Sequence, residues 1–206
     1  MKDYILEVCV DSVESALAAE RGGATRLELC ANLVIGGTTP GYPLFEQVKK
    51  ETGLPVRTLI RPRFGDFLYT QYEHRQMLQD IRHFAQAGAD GVVIGSLNAD
   101  GTLNTEQMQE MMEAAGSCAV TMHRAFDVCA DPFEALKKSA ELGVDTILTS
   151  GQEADCLAGY GLLKKLMQLT DQSRSDSHRV TILAGAGVTS ANIAEIAKKT
   201  GVRAFH

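Results

Sequence analysis

Short apolar runs alternate along this chain with longer segments whose apolar residues recur at helical spacing. The first run is Ile5-Leu6-Glu7-Val8-Cys9-Val10-Asp11, and Arg26-Leu27-Glu28-Leu29-Cys30-Ala31-Asn32 repeats its Leu-Glu-aliphatic-Cys core. Each run is brief and bounded by polar or glycine-rich sequence, which reads as a buried parallel strand. Side chains alternate across a strand. Leu6, Val8 and Val10 therefore share one face, and Glu7, Cys9 and Asp11 the other. In the echo, Leu27, Leu29 and Ala31 oppose Glu28, Cys30 and Asn32. The aliphatic faces call for helices, and the two carboxylate-thiol faces call for one shared polar interior.

The intervening segments carry the helical signals. Met77, Leu78, Ile81, Phe84 and Ala85 form one apolar stripe. Asp131-Pro132 and Thr189-Ser190 mark helix starts. Gly23, Gly88, Gly143 and Gly201 mark helix ends, with Gly53 and Gly116 in similar places. These stops recur with a period of about 30 residues, the length of a strand, a helix and two loops. One stop is missing, in the polar stretch 171–176. Strands are expected near 4–10, 26–31, 55–61, 90–95, 119–125, 146–150, 180–185 and 202–206. Helices are expected near 12–21, 43–52, 71–87, 105–115, 131–141, 155–170 and 190–199. Strict alternation of this kind favours an α/β fold, a closed (β/α)8 TIM barrel rather than an open doubly wound sheet. No linker divides the chain, so residues 1–206 form a single domain. The eighth strand closes at His206, so the final helix is expected to be missing from the chain, and the strip it would cover is the expected site for a partner subunit or an added segment. The segment 171–178 is the one plainly solvated loop.

Composition narrows the function classes. Hydrophobic residues make up 45% and charged residues 22%, the balance of a soluble globular protein. A net charge of −6 without a basic stripe argues against nucleic acid. No apolar run approaches the ~20 residues that span a bilayer, and no signal segment precedes the first strand. Five scattered cysteines, an odd number, point to reduced thiols and a cytoplasmic location.

Barrels of this class carry their chemistry at the C-terminal ends of the strands. Those positions hold Cys9 and Asp11; Cys30, Asn32 and Gly36-Gly37-Thr38-Thr39-Pro40; Arg61-Pro62-Arg63-Phe64-Gly65-Asp66-Phe67; His123-Arg124-Ala125-Phe126-Asp127; Thr149-Ser150-Gly151; Gly185-Ala186-Gly187; and His206. Glu-Val-Cys-Val-Asp (7–11), Arg-Leu-Glu-Leu-Cys (26–30), Gly-Gly-Thr-Thr-Pro (36–40), Ile-Arg-Pro-Arg-x-Gly-Asp-Phe (60–67), His-Arg-Ala-Phe-Asp (123–127) and Ile-Leu-Thr-Ser-Gly (147–151) together resemble the CutC family, long named copper homeostasis proteins. The resemblance runs from the first strand to the last residue. It implies a (β/α)8 barrel, a cytoplasmic protein, a homo-oligomer (a dimer is the expectation) and a role in copper homeostasis. Family members continue past the position that matches His206.

Copper binding would use soft ligands, since Cu(I) prefers thiolates. Cys9 and Cys30, inward on adjacent strands, are the candidate metal ligands; the alternative is that both pack as small apolar residues. There is no Cys-x-x-Cys and no Met-x-Met run. Met108, Met111 and Met112 are assigned to core or interface. An enzyme reading uses the same cavity. Glu7 and Glu28 cannot be buried as bare charges, and Arg61, His123 and Arg124 are the expected partners. With Asp127, the set Glu7, Glu28, Arg61 and His123 suits proton transfer or lyase chemistry on a small anionic or phosphorylated metabolite. The bland alternative is a salt-bridge layer that only fixes the barrel. Gly185 and Gly187, with Arg61, are the candidate phosphate or anion seat. Glu7, Glu28 and His123 are also a candidate hard-metal set for Zn²⁺ or Mn²⁺. The favoured expectation is a copper homeostasis protein that binds Cu(I), with the barrel enzyme as its rival and a pure scaffold as a third option.

Overall fold

The computed structural model describes residues 4–172 and 179–206. Eight parallel strands close on themselves in chain order. They are β1 (Ile5–Val10), β2 (Arg26–Leu29), β3 (Val56–Leu59), β4 (Gly91–Ile94), β5 (Ala119–Met122), β6 (Thr146–Thr149), β7 (Thr181–Ala184) and β8 (Ala204–Phe205). Between them run α1 (Val13–Arg21), α2 (Tyr42–Glu51), α3 (Gln71–Gln86), α4 (Thr105–Ala115), α5 (Pro132–Glu141), α6 (Tyr160–Gln172) and α7 (Ile193–Thr200). The ring closes where Ile5 and Leu6 pair with Ala204 and Phe205. This is the expected TIM barrel. No helix among the described residues is long and apolar enough to cross a membrane.

Alternation holds around the whole ring. Val10, Leu27, Leu29, Val56, Val92, Ile94, Val120, Met122, Ile147, Ile182 and Phe205 join the large core between strands and helices. The intervening positions turn inward, where two smaller apolar clusters form: Cys30 with Leu59 and Val93, and Leu148 with Leu183 and Ala204. A belt of buried polar residues shares that interior, namely Glu7, Arg26, Glu28, Arg57, Thr121 and Thr146. Small residues make room for it. A Cβ on Gly91 would lie 2.6 Å from the Ala119 carbonyl oxygen and 3.1 Å from Arg57 Cγ, so only glycine lets the Arg57 stem pass. Arg57 then reaches across the barrel to donate to Thr121 Oγ1 and, at 3.2 Å, to Thr146 Oγ1.

Several boundaries differ from the sequence expectations. The helix expected at 155–170 begins at Tyr160, because Asp155 Oδ1 accepts from the Leu157 and Ala158 amides and ties the segment into a turn. The helix expected at 190–199 begins at Ile193, because Asn192 folds its side chain back onto the Thr189 amide and the Gly187 carbonyl. The eighth strand shrinks from 202–206 to two residues. Gly53 follows an extended Thr52 and lacks the left-handed backbone of the other stops; its amide instead donates to Glu20 Oε1. Of the loop expected at 171–178, Asp171 and Gln172 end α6, and 173–178 lie outside the described residues.

Candidate functional site

The first strand pair delivers both carboxylates to the barrel interior. Glu7 pairs in register with Arg26, and Cys9 with Glu28. With Arg26 and Glu28 both inward, the Glu7 carboxylate meets the guanidinium of the neighbouring strand. Arg26 Nε donates to Glu7 Oε2. The other Glu7 oxygen accepts from His206 Nδ1 at 2.9 Å, and His206 Nε2 lies 3.2 Å from Glu28 Oε2. One imidazole therefore spans two buried carboxylates. Ring closure makes this possible, since β8 lies against β1 and sets His206 just above Glu7.

Burial and charge push the two acids apart. Burial opposes ionisation of Glu7, but the His206 hydrogen bond and the His206, Arg26 and Arg57 charges outweigh it and hold its pKa at about 2. For Glu28 burial wins. With the Glu7 charge adding to it, and His206 opposing, its pKa rises to about 7. Burial works against a charged His206, yet Glu28, the Cys9 and Glu7 hydrogen bonds and the Glu7 charge raise its pKa well above the ordinary value.

Above this cluster opens a cavity of about 200 Å³, whose wall includes Cys9, Glu28, Cys30, Arg61, Phe67, His123, Arg124 and His206. Arg61 staples two loops together. Its guanidinium donates to the carbonyls of Gly36 and Gly37, each at 3.2 Å, and of Gly65 at 2.8 Å, and it stacks 4.9 Å from the centre of the Phe67 ring. Phe67 in turn packs on His123, with ring centres 4.7 Å apart. His123 caps the short 3-10 helix Arg124–Val128, where its Nδ1 accepts from the Ala125 amide at 3.2 Å. Its Nε2 is buried with no hydrogen-bond partner. Burial, helped by the Arg61 charge, drives the His123 pKa down to about 3, so the ring is neutral. An accepting Nδ1 then places the ring proton on Nε2.

The structure thus brings together Glu7, Glu28, Cys9, Cys30, Arg61 and His123 in one interior, but with different partners from those expected. Glu7 and Glu28 pair with Arg26 and His206 rather than with Arg61, His123 and Arg124. Strand parity alone places Arg26 with Glu28, and Arg57 with Arg61, so both buried arginines were legible. His206 was legible only as a strand end. The hard-metal set also changes: the ligand atoms that lie within 4.8 Å of one another belong to Glu7, Glu28 and His206, not His123. Asp127 stands apart from the cavity wall. Its carboxylate accepts from the Ser150 amide at 3.0 Å, the Gln152 amide at 3.3 Å and Arg124 Nε at 2.7 Å, and so moors the loop after β6. Gly185 packs on Leu148 and His206, and Gly187 abuts Asp155; neither lines the cavity. Cys30 is 2% exposed, and burial, then the Glu28 and Cys9 charges, raise its thiol pKa far above the ordinary value.

Comparison with known proteins matches the chain to the CutC family over residues 4–206. A protein from Bacteroides thetaiotaomicron named family protein CutC is 50% identical over 207 residues, covering 100% of this chain and 81% of the relative. One of the same name from Salmonella typhimurium is 45% identical over 202 residues, covering 98% of this chain and 78% of the relative. Among solved structures, a CutC protein from Streptococcus agalactiae, provisionally named for copper homeostasis, superposes with a TM-score of 0.91 at 29% identity and covers 98% of this chain and 97% of its own. Phosphoenolpyruvate phosphomutase from Streptomyces platensis shares the fold at a TM-score of 0.64 and 15% identity, covering 100% of this chain and 76% of its own. The chain belongs to the CutC family.

Proposed function

We propose that this CutC-family barrel is an enzyme that moves a proton on a small anionic metabolite held in its mouth. One observation carries the reading: His206 spans Glu7 and Glu28, and the environment separates these acids to about 2 and about 7. Two titratable groups driven apart in one barrel interior are the mark of assigned acid and base roles. Glu28, at the cavity wall and poised near neutrality, is the proton carrier. Glu7 stays ionised and orients His206. The ligand is anionic because Arg61 and a protonated His206 outnumber Glu28 on the wall, Arg124 being paired with Asp127. It is small because about 200 Å³ lies below the ~300–1,000 Å³ of typical ligand pockets.

The test is solvent exchange. Incubated in D2O with a pool of small carboxylic and hydroxy acids, the protein should place deuterium on carbon in at least one compound, read by mass spectrometry. Glu28→Gln should abolish the exchange, and Cys9→Ser with Cys30→Ser should leave it in place. No exchange with any compound would overturn the reading.

A second reading keeps a copper role, supported by two thiols and an imidazole on one cavity wall and by the name of the streptococcal relative. Cys9, Cys30 and His206 would hold Cu(I), a soft ion. The donor set fits poorly as it stands: the Cys30 proton is held tightly, and Arg26 and protonated His206 already compensate the carboxylates. Anaerobic competition against a Cu(I) chelator decides it. Tight stoichiometric uptake that Cys9→Ser with Cys30→Ser removes would favour copper over the enzyme.

A further inference from the structure

His123 has a feature that an acid-base residue would not need. Nδ1 is committed to the Ala125 amide. The backbone just past β4 has been cleared for the ring, since a Cβ on Gly95 would lie 2.6 Å from His123 Cε1 and 2.7 Å from Nδ1. His123 lines the cavity beside Phe67 and Arg61, and its Nε2 is buried there without a partner. His123 is 4% exposed, and this N–H finds no acceptor in the protein. A buried donor without a partner is costly, and it is relieved by a ligand that brings an acceptor oxygen.

We propose that His123 Nε2–H is the electrophile of the site, donating to the carbonyl oxygen of a substrate that carries an acidic C–H beside that carbonyl. This deepens the acid-base reading above and rests on it. Glu28 takes the proton: the C–H bond breaks, an O–H bond forms on the carboxylate, and the C–H electron pair becomes the C=C bond of an enolate. The carbonyl π pair moves onto oxygen, where His123 holds it. Return of a proton from Glu28 to the same carbon regenerates the carbonyl compound, so the balanced step is exchange of that C–H with solvent and needs no co-reactant. A neutral imidazole suits this task because its N–H acidity lies close to that of an enol, so the bond strengthens as the negative charge develops. The substrate class is therefore a small acid or sugar derivative with an enolisable carbonyl, its anionic group on the arginine side.

The test uses the full chain with ¹⁵N-labelled histidine and two enolate-like probes, oxalate and acetohydroxamate, with sulfate as control. Either probe should move the His123 Nε2–H proton resonance downfield, and sulfate should leave it. This measurement needs no variant. His123→Phe keeps the ring against Phe67 but loses the donor, and should weaken probe binding about tenfold. A His123 resonance unmoved by either probe, or equal affinity in wild type and His123→Phe, overturns the assignment. If the probes act on His123 but D2O exchange fails, the oxyanion seat stands and the proton-transfer reading falls. The converse result separates the two in the other direction.

Discussion

Replacing Glu7 by Gln removes one buried charge and almost no volume. The side chain is fully buried, with Arg26 on one oxygen and His206 on the other. Glutamine keeps an acceptor for Arg26 but turns an amide N–H toward the His206 N–H, donor against donor. Breaking one partner out of a buried ion pair costs about 3–5 kcal/mol. The pKa offers an independent figure: a fall from 4.5 to about 2 corresponds to about 3 kcal/mol. For a chain of this size that is a fall in Tm of about 6–20 °C. The sign with pH follows. A carboxylate whose folded pKa lies below its unfolded one stabilises fully above pH 4.5 and loses that contribution as pH falls toward 2. Urea titrations should therefore separate wild type from Glu7→Gln at pH 7 and bring them together near pH 2. Glu7→Leu with Arg26→Met, which replaces the pair by hydrocarbon, should be more stable than Glu7→Leu alone because no bare guanidinium remains. A loss below about 1 kcal/mol in Glu7→Gln, or a double variant no better than the single one, would refute the electrostatic account of the barrel interior.

Three other expectations follow from the same structure. Iodoacetamide at pH 8 should label exposed Cys9 in the native protein and spare Cys30, Cys129 and Cys156, all buried, with mass spectrometry giving the order; prompt modification of Cys30 would contradict its burial. Asp127→Ala should cost about 2–3 kcal/mol by leaving the Ser150 and Gln152 amides without their acceptor, measured by chemical denaturation, and hydrogen exchange should quicken at those two amides first. Gly95→Ala should displace the His123 ring and cost about 1–3 kcal/mol, with loss of the native His123 resonance in the ¹⁵N spectrum. An unchanged resonance would mean that the ring does not lie against Gly95.

How much of this was legible in the sequence depends on the range of the interaction. Alternation is a local rule with a period of two residues, and it correctly sorted Leu27 and Leu29 to the helices and Glu7, Cys9, Glu28 and Cys30 to the interior. The strict return of strand, helix and glycine stop was enough to reach the barrel and its order. The same parity rule already contained Arg26 and Arg57 as inward residues, yet nothing local says which acid an inward arginine will meet. That choice depends on strand register, which pairs Glu7 with Arg26 and Glu28 with Arg57. His206 is the extreme case. It meets Glu7 across 199 positions of sequence, and only closure of β8 onto β1 puts its ring between two carboxylates. The pKa values follow from that meeting as well, because burial and neighbouring charge arise from the assembled barrel and from no single strand. Which side chains face inward was therefore a property of the chain. Which of them touch, and what protons they hold, was decided by the ring.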